Sequence, residues 1–345
     1  MINNRRKSDV TAKDIHASDT SRTYDKLLNA PAKFPVKAFA KATQFSVKVS
    51  DVFLKRNYPS ISNISWRMPE EKLIHVNNID LSYLHWPGSG SPVILLHGLN
   101  SVAWSWARVA SILSEKHEVF AINLRGHGKS SVPEEGYLLE NTSKDLLEFL
   151  NSLSIEKADI AGESWGGKVA MHFAATSPER IKSITLADPV LPQGMNPLLT
   201  KFPSIIMSAL LLERGSFSSI EELTKKAEGI VYLPLGDEID RRSWQGRFCR
   251  TKTGGYKPVL PDKQHAQIIE KAILADISPV VQGLTTPTLL LVPTMSISFW
   301  PGEVRNISQL FTNISIEHID GDHTFVSANP LVAANKLLSF ISSNQ

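Results

Sequence analysis

The sequence predicts an α/β protein: a mostly parallel sheet covered by helices on both faces, with a helical lid inserted between sheet strands. Short apolar runs alternate with helical patterns from Lys72 to Asp188. Prolines then interrupt this rhythm, and only helical patterns follow through 189–284. Strand-like runs return at Pro287. The alternation predicts a core made of residues 61–188 and 285–345, and the interruption predicts the lid.

Length and composition are those of a globular protein with a large core. The 345 residues fit one α/β domain with an insertion, and 42% of them are hydrophobic. A net charge of +3 indicates neither a nucleic acid nor an acidic partner. Cys249 is the single cysteine, which excludes an intramolecular disulfide and fits a reducing compartment. Neither a secretory signal nor an 18-residue apolar run is visible, so we expect a cytoplasmic protein.

The N-terminal segment differs from the rest of the chain. Residues 1–35 are polar and are predicted to form a disordered tail. Residues 36–60 are predicted to form a basic amphipathic helix and a linker, with four lysines along one stripe of 36–56. Three interpretations stay open. The helix packs on its own domain or a second subunit, it lies on a membrane surface, or it is a disordered tail.

The core begins with a predicted β-hairpin. Lys72–Val76 and Ile79–Trp86 are short strand patterns, and the two asparagines between them favour a tight turn. Pro92–Leu96 is a buried strand that ends at His97-Gly98, and Glu118–Leu124 is the next strand. These strands are separated by a helical pattern that carries Trp106.

The most informative stretch follows. An apolar run from Ala158 to Ala161 leads into Gly162-x-Ser164-x-Gly166, and a helical pattern begins at Lys168. A serine at the apex of a strand–turn–helix needs small residues two positions before and after it, because the strained backbone leaves no room for side chains. The turn exposes the hydroxyl and directs the positive end of the next helix at a developing oxyanion. We therefore predict that Ser164 is a nucleophile.

Further elements complete the alternation. The remaining strand and helix patterns cover Ile181–Asp188, Phe202–Leu212, Ile220–Gly229, Lys263–Ala275, Pro287–Val292, Val304–Phe311, Ile314–Ile319 and Pro330–Ile341. Since the carboxyl ends of parallel strands meet at one edge of a sheet, we expect His97, Ser164 and Asp188 to lie along that edge.

A serine hydroxyl needs a base within hydrogen-bond reach. His323 is the best candidate, because it lies in the loop after the last predicted strand, at the same edge as Ser164. The backbone N–H groups of Leu99 and Trp165 are the candidate oxyanion donors. Scattered histidines and one cysteine lack the spacing of metal ligands, so we predict no metal and no cofactor.

Together these motifs resemble the α/β-hydrolase family, in particular its lid-bearing esterases, lipases and epoxide hydrolases. The matching pieces are His97-Gly98-Leu99-Asn100 with Trp106, Asn123 to Ser130, Gly162 to Gly167, and Gly321-Asp322-His323. The resemblance covers about four-fifths of the chain, from Lys72 to its end. It implies the fold and a hydrolytic activity but does not choose a substrate, because this fold supports many reactions.

Two positions depart from the family pattern. Asn123 stands where an Asp is usual, a change that we expect to be structural. The family usually carries its third catalytic residue, an Asp, after the strand at Pro287–Val292, but no carboxylate occurs there before Glu303. Asp188 is our candidate for this acid, because some members place it after the preceding strand. The alternatives are Glu303, or a Ser164–His323 pair without a carboxylate, with Asp188 capping the lid entrance.

The sequence thus predicts a serine hydrolase that acts on a small to medium hydrophobic carboxylic ester, lactone or thioester through an acyl-enzyme. The apolar start of the lid favours such a substrate. A serine nucleophile argues against the epoxide-hydrolase and dehalogenase branches, which use a carboxylate. The alternatives are carbon–carbon bond hydrolysis or acyl transfer with the same residues, and a non-catalytic ligand-binding protein. We expect Glu163, beside the nucleophile, to point away from the pocket.

Overall fold

The computed structural model describes residues 61, 63–193, 215–228, 236–296 and 303–344. The predicted tail at 1–35, the predicted helix at 36–56 and the predicted lid helix at 202–212 lie outside these residues. Their predictions therefore stay predictions.

An eight-stranded sheet forms the centre of the described chain, in the order β1-β2-β4-β3-β5-β6-β9-β10. The strands are β1 (Glu70–Val76), β2 (Ile79–Trp86), β3 (Pro92–Leu96), β4 (Glu118–Ile122), β5 (Ala158–Glu163), β6 (Ile181–Ala187), β9 (Thr288–Met295) and β10 (Ile314–Asp322). β2 runs antiparallel to both of its neighbours, and the other pairs are parallel. The predicted mostly parallel sheet is confirmed.

The first hairpin has the turn that its sequence predicts. Asn77 and Asn78 have φ angles of 48° and 62°. Both residues are thus left-handed, a conformation that asparagine tolerates and that two-residue hairpin turns require. The register pairs Val76 with Ile79, so the two strands meet directly at the turn.

Helices cover both faces of the sheet. The helices α1 (Ala107–Leu113), α2 (Leu139–Ser152), α3 (Trp165–Thr176) and α10 (Pro330–Ser343) supply most of this cover. On one face, Phe149 of α2 and Phe173 of α3 are buried in a core with Ile94 and Ile160 from the sheet. On the other face, α1 and α10 pack over a second core. Burial on both faces explains why the central strands are almost continuously apolar.

The segment between β6 and β9 is an insertion of a different kind. It contains α4 (Ile220–Glu228), α5 (Glu238–Gln245), α6 (Asp262–Ile268), a π-helical turn (Ile269–Ile273), α7 (Ser278–Val281), and a small hairpin of β7 (Phe248–Arg250) and β8 (Tyr256–Pro258). The sequence predicts helices at two of these places but not the hairpin. Three-residue strands are too short to show a period of two. Whether this insertion acts as a lid stays a prediction.

The remaining elements are short. They are the 3₁₀ turns Ala103–Trp106 and Pro178–Arg180, and the helices α8 (Glu303–Ser308) and α9 (Phe325–Ala328). β10 extends three residues past its predicted end and carries an irregularity between Ile319 and Asp322. Across the described ranges, every helix is too short or too polar to cross a bilayer.

Candidate active site

Ser164 stands at the apex of a strained turn between β5 and α3. Its φ and ψ are 53° and −117°, a combination that L-residues rarely adopt. The backbone holds this conformation from the β6 side. Ser164 N–H donates to the carbonyl of Ala187 at 3.0 Å, and the Ser164 carbonyl accepts from Val190 N–H at 3.0 Å. The turn is therefore tied to the segment that carries Asp188.

The two glycines of the motif are required by close backbone contacts. A Cβ atom on Gly162 would lie 2.3 Å from the carbonyl oxygen of Gly166. A Cβ atom on Gly166 would lie 2.3 Å from the carbonyl oxygen of Leu96, at the end of β3. Neither site admits a side chain, so the turn packs directly against β3 as the sequence motif predicts.

The loop after β3 lies against the serine. A Cβ atom on Gly98 would come 3.1 Å from Ser164 Cβ and 3.7 Å from Ser164 Oγ. Leu99 follows directly, and Trp165 is the first residue of α3. Because the first N–H groups of a helix have no partner within it, Trp165 N–H remains a candidate oxyanion donor.

His97 holds this loop in place. Its Nε2 atom accepts a hydrogen bond from Leu124 N–H at 3.1 Å, so the ring proton is on Nδ1, which donates to the Gly98 carbonyl at 2.7 Å. Burial and the neighbouring His127 lower the His97 pKa well below its usual value. His97 is thus a neutral structural residue and not a base.

His323 meets Asp188. The Nδ1 atom of the histidine lies 2.7 Å from Oδ2 of the aspartate, which is completely buried. Asp188 N–H donates to the Leu291 carbonyl of β9 at 3.0 Å, which ties the backbone of Asp188 to β9. Glu303, the alternative acid, instead accepts a hydrogen bond from Gln193 at 2.8 Å. Among the described residues, Asp188 is the carboxylate that the fold brings into contact with His323.

A model for the alpha/beta hydrolase fold matches residues 91–209, which include the Ser164 turn and Asp188. A solved E-2-(acetamidomethylene)succinate hydrolase superposes with a TM-score of 0.70 at 20% identity, covering 79% of this chain and 99% of that one. The chain has the α/β-hydrolase fold.

Two curated relatives are more similar in sequence over shorter segments. Bifunctional epoxide hydrolase 2 of Sus scrofa is 34% identical over 113 residues, which make up 32% of this chain and 20% of that protein. The soluble epoxide hydrolase of Corynebacterium sp. (strain C12) is 34% identical over 101 residues, 29% of this chain and 35% of that protein. The chain thus matches about a fifth of the length of the first relative and about a third of the length of the second.

Within this α/β-hydrolase fold, the electrostatics around His323 favour its protonated form. Burial lowers its pKa, but the hydrogen bond that Nδ1–H donates to Asp188 and the charges of Asp188, Glu163 and Asp322 outweigh it, so the pKa is raised. Because Asp188 occupies Nδ1, the Nε2 atom is the one left to exchange a proton.

Glu163 is closer to this chemistry than the sequence suggests. Its side chain is 8% exposed, and burial together with the charges of Asp188 and Asp322 raises its pKa to about 7, against the effect of His323 and Arg247. We predicted that it points away from the pocket. Its carboxyl nevertheless lies within electrostatic range of the imidazole, so His323 lowers the pKa of Glu163 and Glu163 raises the pKa of His323.

Sequence reasoning missed Ser296, which follows β9. Its hydroxyl donates to Oδ1 of Asp188. The family pattern calls for a carboxylate in this stretch, and a serine hydroxyl carries no comparable signal in a sequence. A polar residue at the strand end where α/β-hydrolases usually carry the acid was the available hint.

Asn123, which follows β4, stands where the family usually has an aspartate. Its Oδ1 atom accepts from Ala103 N–H at 2.7 Å, and its Nδ2 group donates to Ser82 Oγ at 2.9 Å. An aspartate carboxylate has no N–H group to donate to Ser82, so the asparagine amide suits both partners. These contacts agree with the structural role that we expected for this residue.

Proposed function

We propose that the protein is a serine hydrolase that cleaves a small to medium hydrophobic carboxylic ester, lactone or thioester through an acyl-enzyme on Ser164. The observation that carries this proposal is the contact between His323 and the buried Asp188, at the sheet edge where the strained Ser164 turn lies. Acyl transfer to serine requires a base that a carboxylate orients, together with a serine hydroxyl that this base can reach.

The proposed reaction has two halves. In the first, Ser164 Oγ attacks the carbonyl carbon while His323 Nε2 accepts the hydroxyl proton. The negative charge moves to the carbonyl oxygen, which accepts hydrogen bonds from the N–H groups of Leu99 and Trp165. The tetrahedral intermediate then collapses, and the imidazolium gives its proton to the departing alkoxide or thiolate.

In the second half, water attacks the acyl-enzyme. His323 accepts a proton from the water molecule, and a second tetrahedral intermediate forms at the same carbonyl carbon. Its collapse breaks the bond to Ser164 Oγ, which recovers the proton from the imidazolium. The carboxylic acid leaves. Asp188 stays ionised throughout and stabilises the imidazolium that forms in each half.

The nucleophile argues against the chemistry named for the two epoxide-hydrolase relatives. A carboxylate that opens an epoxide forms an ester, which water can hydrolyse. A serine that did so would form an ether, which is inert to water at neutral pH. Ser164 therefore supports acyl substrates.

The composition of the insertion supports the polarity that we propose for the substrate. Its first part is rich in apolar residues, namely Pro192, Met195, Leu199, Phe202, Ile206, Met207, Leu210 and Leu211. Pockets that bury small ligands are lined mainly by such side chains. This composition supports a hydrophobic acyl group over a charged one.

A panel of p-nitrophenyl esters of increasing chain length, aliphatic lactones and acyl thioesters tests the proposal. We expect turnover of at least one class by the purified full chain and its loss in Ser164→Ala. A folded protein that turns over none of them would contradict the proposal and favour a ligand-binding role. Carbon–carbon hydrolysis is separated by including a vinylogous β-diketone, and acyl transfer by adding a primary alcohol as competing acceptor.

A further inference from the structure

The end of β9 holds both members of the Asp188–His323 pair. Thr294 Oγ1 donates to the side chain of Asp320 at 3.2 Å, and Gly321 N–H donates to Thr294 Oγ1 at 3.3 Å, two residues before His323. Two residues further along, the Ser296 hydroxyl donates to Asp188. β9 lies between β6 and β10, so its tip is within reach of both segments.

We propose that Ser296 is a positioning residue, which orients the Asp188 carboxylate toward His323 in the hydrolase reaction proposed above. The inference rests on that proposed function. The end of β9 lacks the carboxylate that the family pattern places there. It supplies instead the hydroxyl of Ser296, which binds the Asp188 carboxylate at the end of the neighbouring strand β6.

The two carboxylate oxygens of Asp188 have separate partners. Oδ1 accepts from Ser296 Oγ, and Oδ2 lies 2.7 Å from His323 Nδ1. Because Asp188 is completely buried, protein donors replace the water that would otherwise solvate its charge. A donor on Oδ1 fixes the rotation of the carboxylate about its Cβ–Cγ bond and so holds Oδ2 toward the imidazole.

The main chain cannot supply this orientation by itself. Asp188 has a φ angle of 40°, a left-handed conformation that is uncommon for a residue other than glycine. Its N–H donates to the Leu291 carbonyl, which fixes the backbone but leaves the side-chain rotation free. Ser296 is the described residue whose hydroxyl restricts that rotation from the side opposite His323.

Removal of the hydroxyl has a defined electrostatic consequence. The charged groups that act on the His323 imidazole are Asp188, Glu163 and Asp322. Ser296→Ala alters none of them, but it leaves Oδ1 of a buried anion without this donor. Without this donor the carboxylate is free to rotate away from His323 Nδ1, which weakens the hydrogen bond to Asp188 that raises the His323 pKa. The pKa of His323 should therefore fall in the variant.

The experiment compares Ser296→Ala with Ser296→Thr, which keeps the hydroxyl, and with Ser315→Ala, an exposed serine on β10. The readouts are kcat, KM, the pH profile of kcat/KM, and the NMR titration of the His323 imidazole in protein labelled with ¹⁵N-histidine. For Ser296→Ala we expect a kcat about tenfold lower, an unchanged KM and a downward shift of the His323 pKa, on the scale of one charge-assisted hydrogen bond. Both other variants should match the wild type.

An unchanged or raised His323 pKa in Ser296→Ala, whatever its kcat, would overturn the proposal, because a purely structural role lowers stability without weakening the contact between Asp188 and the imidazole. The NMR titration needs no substrate. If the wild type turns over nothing, the hydrolase function fails, while the titration still decides whether Ser296 acts on the pair.

Discussion

His323 Nδ1 lies 2.7 Å from Oδ2 of Asp188, although β9 separates the strands that these two residues follow. The acid therefore reaches the base across the tip of the intervening strand. That tip carries Ser296 in contact with the same carboxylate. The proposed acid is thus displaced by one strand from the usual place in this fold, and its contact with the imidazole is kept.

Asp188→Asn tests the displaced acid. The amide cannot stabilise the imidazolium, so we expect kcat to fall by roughly 10³- to 10⁴-fold. Since Asp188 helps to raise the His323 pKa, its loss lowers that pKa, and the acid limb of the kcat/KM profile should move to lower pH. Glu303→Gln serves as the control and should leave both kcat and the acid limb of the kcat/KM profile unchanged. Near-wild-type turnover by a folded Asp188→Asn protein would remove Asp188 from the mechanism.

Gly98→Ala tests how closely the loop after β3 approaches the nucleophile. The new methyl group would come 3.1 Å from Ser164 Cβ, so either the serine or the loop must move by a few tenths of an ångström. Displacing one oxyanion donor costs about 10²- to 10³-fold in kcat when it is complete. We expect a loss of about tenfold or more, with little change in the free energy of unfolding. Gly236→Ala is the control, because its new methyl group would lie 3.8 Å from the nearest atom, and the kcat of this variant should match the wild type. Equal kcat values for the two variants would contradict the proposed oxyanion site.

Lys168 links α3 to the end of the insertion. Its buried ammonium group donates to the carbonyls of Ile273 at 2.9 Å and Ala275 at 2.5 Å. Burial lowers the Lys168 pKa to about 7, although the charge of Asp276 raises it. An amine whose pKa is depressed in the folded state binds fewer protons there than in the unfolded chain between the two pKa values. Stability then rises with pH across that window, from about 7 to the usual value of 10.5.

Lys168→Met removes this dependence. Urea unfolding at pH 7, 8 and 9 should show the wild type gaining stability relative to the variant as the pH rises. Lys144→Met, at an exposed position on α2, is the matched control and should keep the wild-type slope. Parallel curves for the wild type and Lys168→Met would mean that the Lys168 pKa is not depressed.

A buried ion pair holds the loop after β4. Arg125 Nε and Nη2 contact the two carboxylate oxygens of Asp145 on α2 at 2.7 and 2.6 Å, and Asn77 donates to the same group at 2.8 Å. Arg125→Met leaves a buried carboxyl without its cation, which costs about 3–5 kcal/mol of unfolding free energy. Burial already raises the Asp145 pKa, so the loss should shrink at acidic pH as the carboxyl is protonated.

Denaturant titrations at pH 5 and pH 8 measure this loss. The exposed pair of Lys263 with Glu134 offers the contrast, because Lys263→Met at such a pair should change stability by no more than about 1 kcal/mol. A similar small effect for Arg125→Met would show that the buried pair contributes no more than the exposed one.

Local signals predicted most of the sheet and the nucleophile turn. The turn at Asn77 and Asn78 and the close approach at Gly162 each depend on backbone conformations that few residue types allow, so the sequence shows them directly. The hairpin of β7 and β8 escaped prediction because its strands are three residues long. The end of β10 was placed too early because Gly321 resembles a turn residue.

The choice among the candidate acids depends on the three-dimensional structure. Asp188, Glu303 and a missing carboxylate were all compatible with the sequence, because the choice depends on which strand tips are neighbours in space. The sheet order places β9 between β6 and β10, and a one-dimensional pattern does not contain that order. Ser296 was overlooked for the same reason, since its importance lies wholly in its contact with Asp188.

The central claim is that the Ser164 hydroxyl is an activated nucleophile, and covalent labelling tests it most directly. The full chain is incubated with a fluorophosphonate, and the adduct is located by intact-mass and peptide mass spectrometry. We predict one adduct, on Ser164, which is absent in Ser164→Ala and forms much more slowly in His323→Ala. A folded protein that stays unlabelled, or that is labelled equally well in Ser164→Ala, would contradict the account.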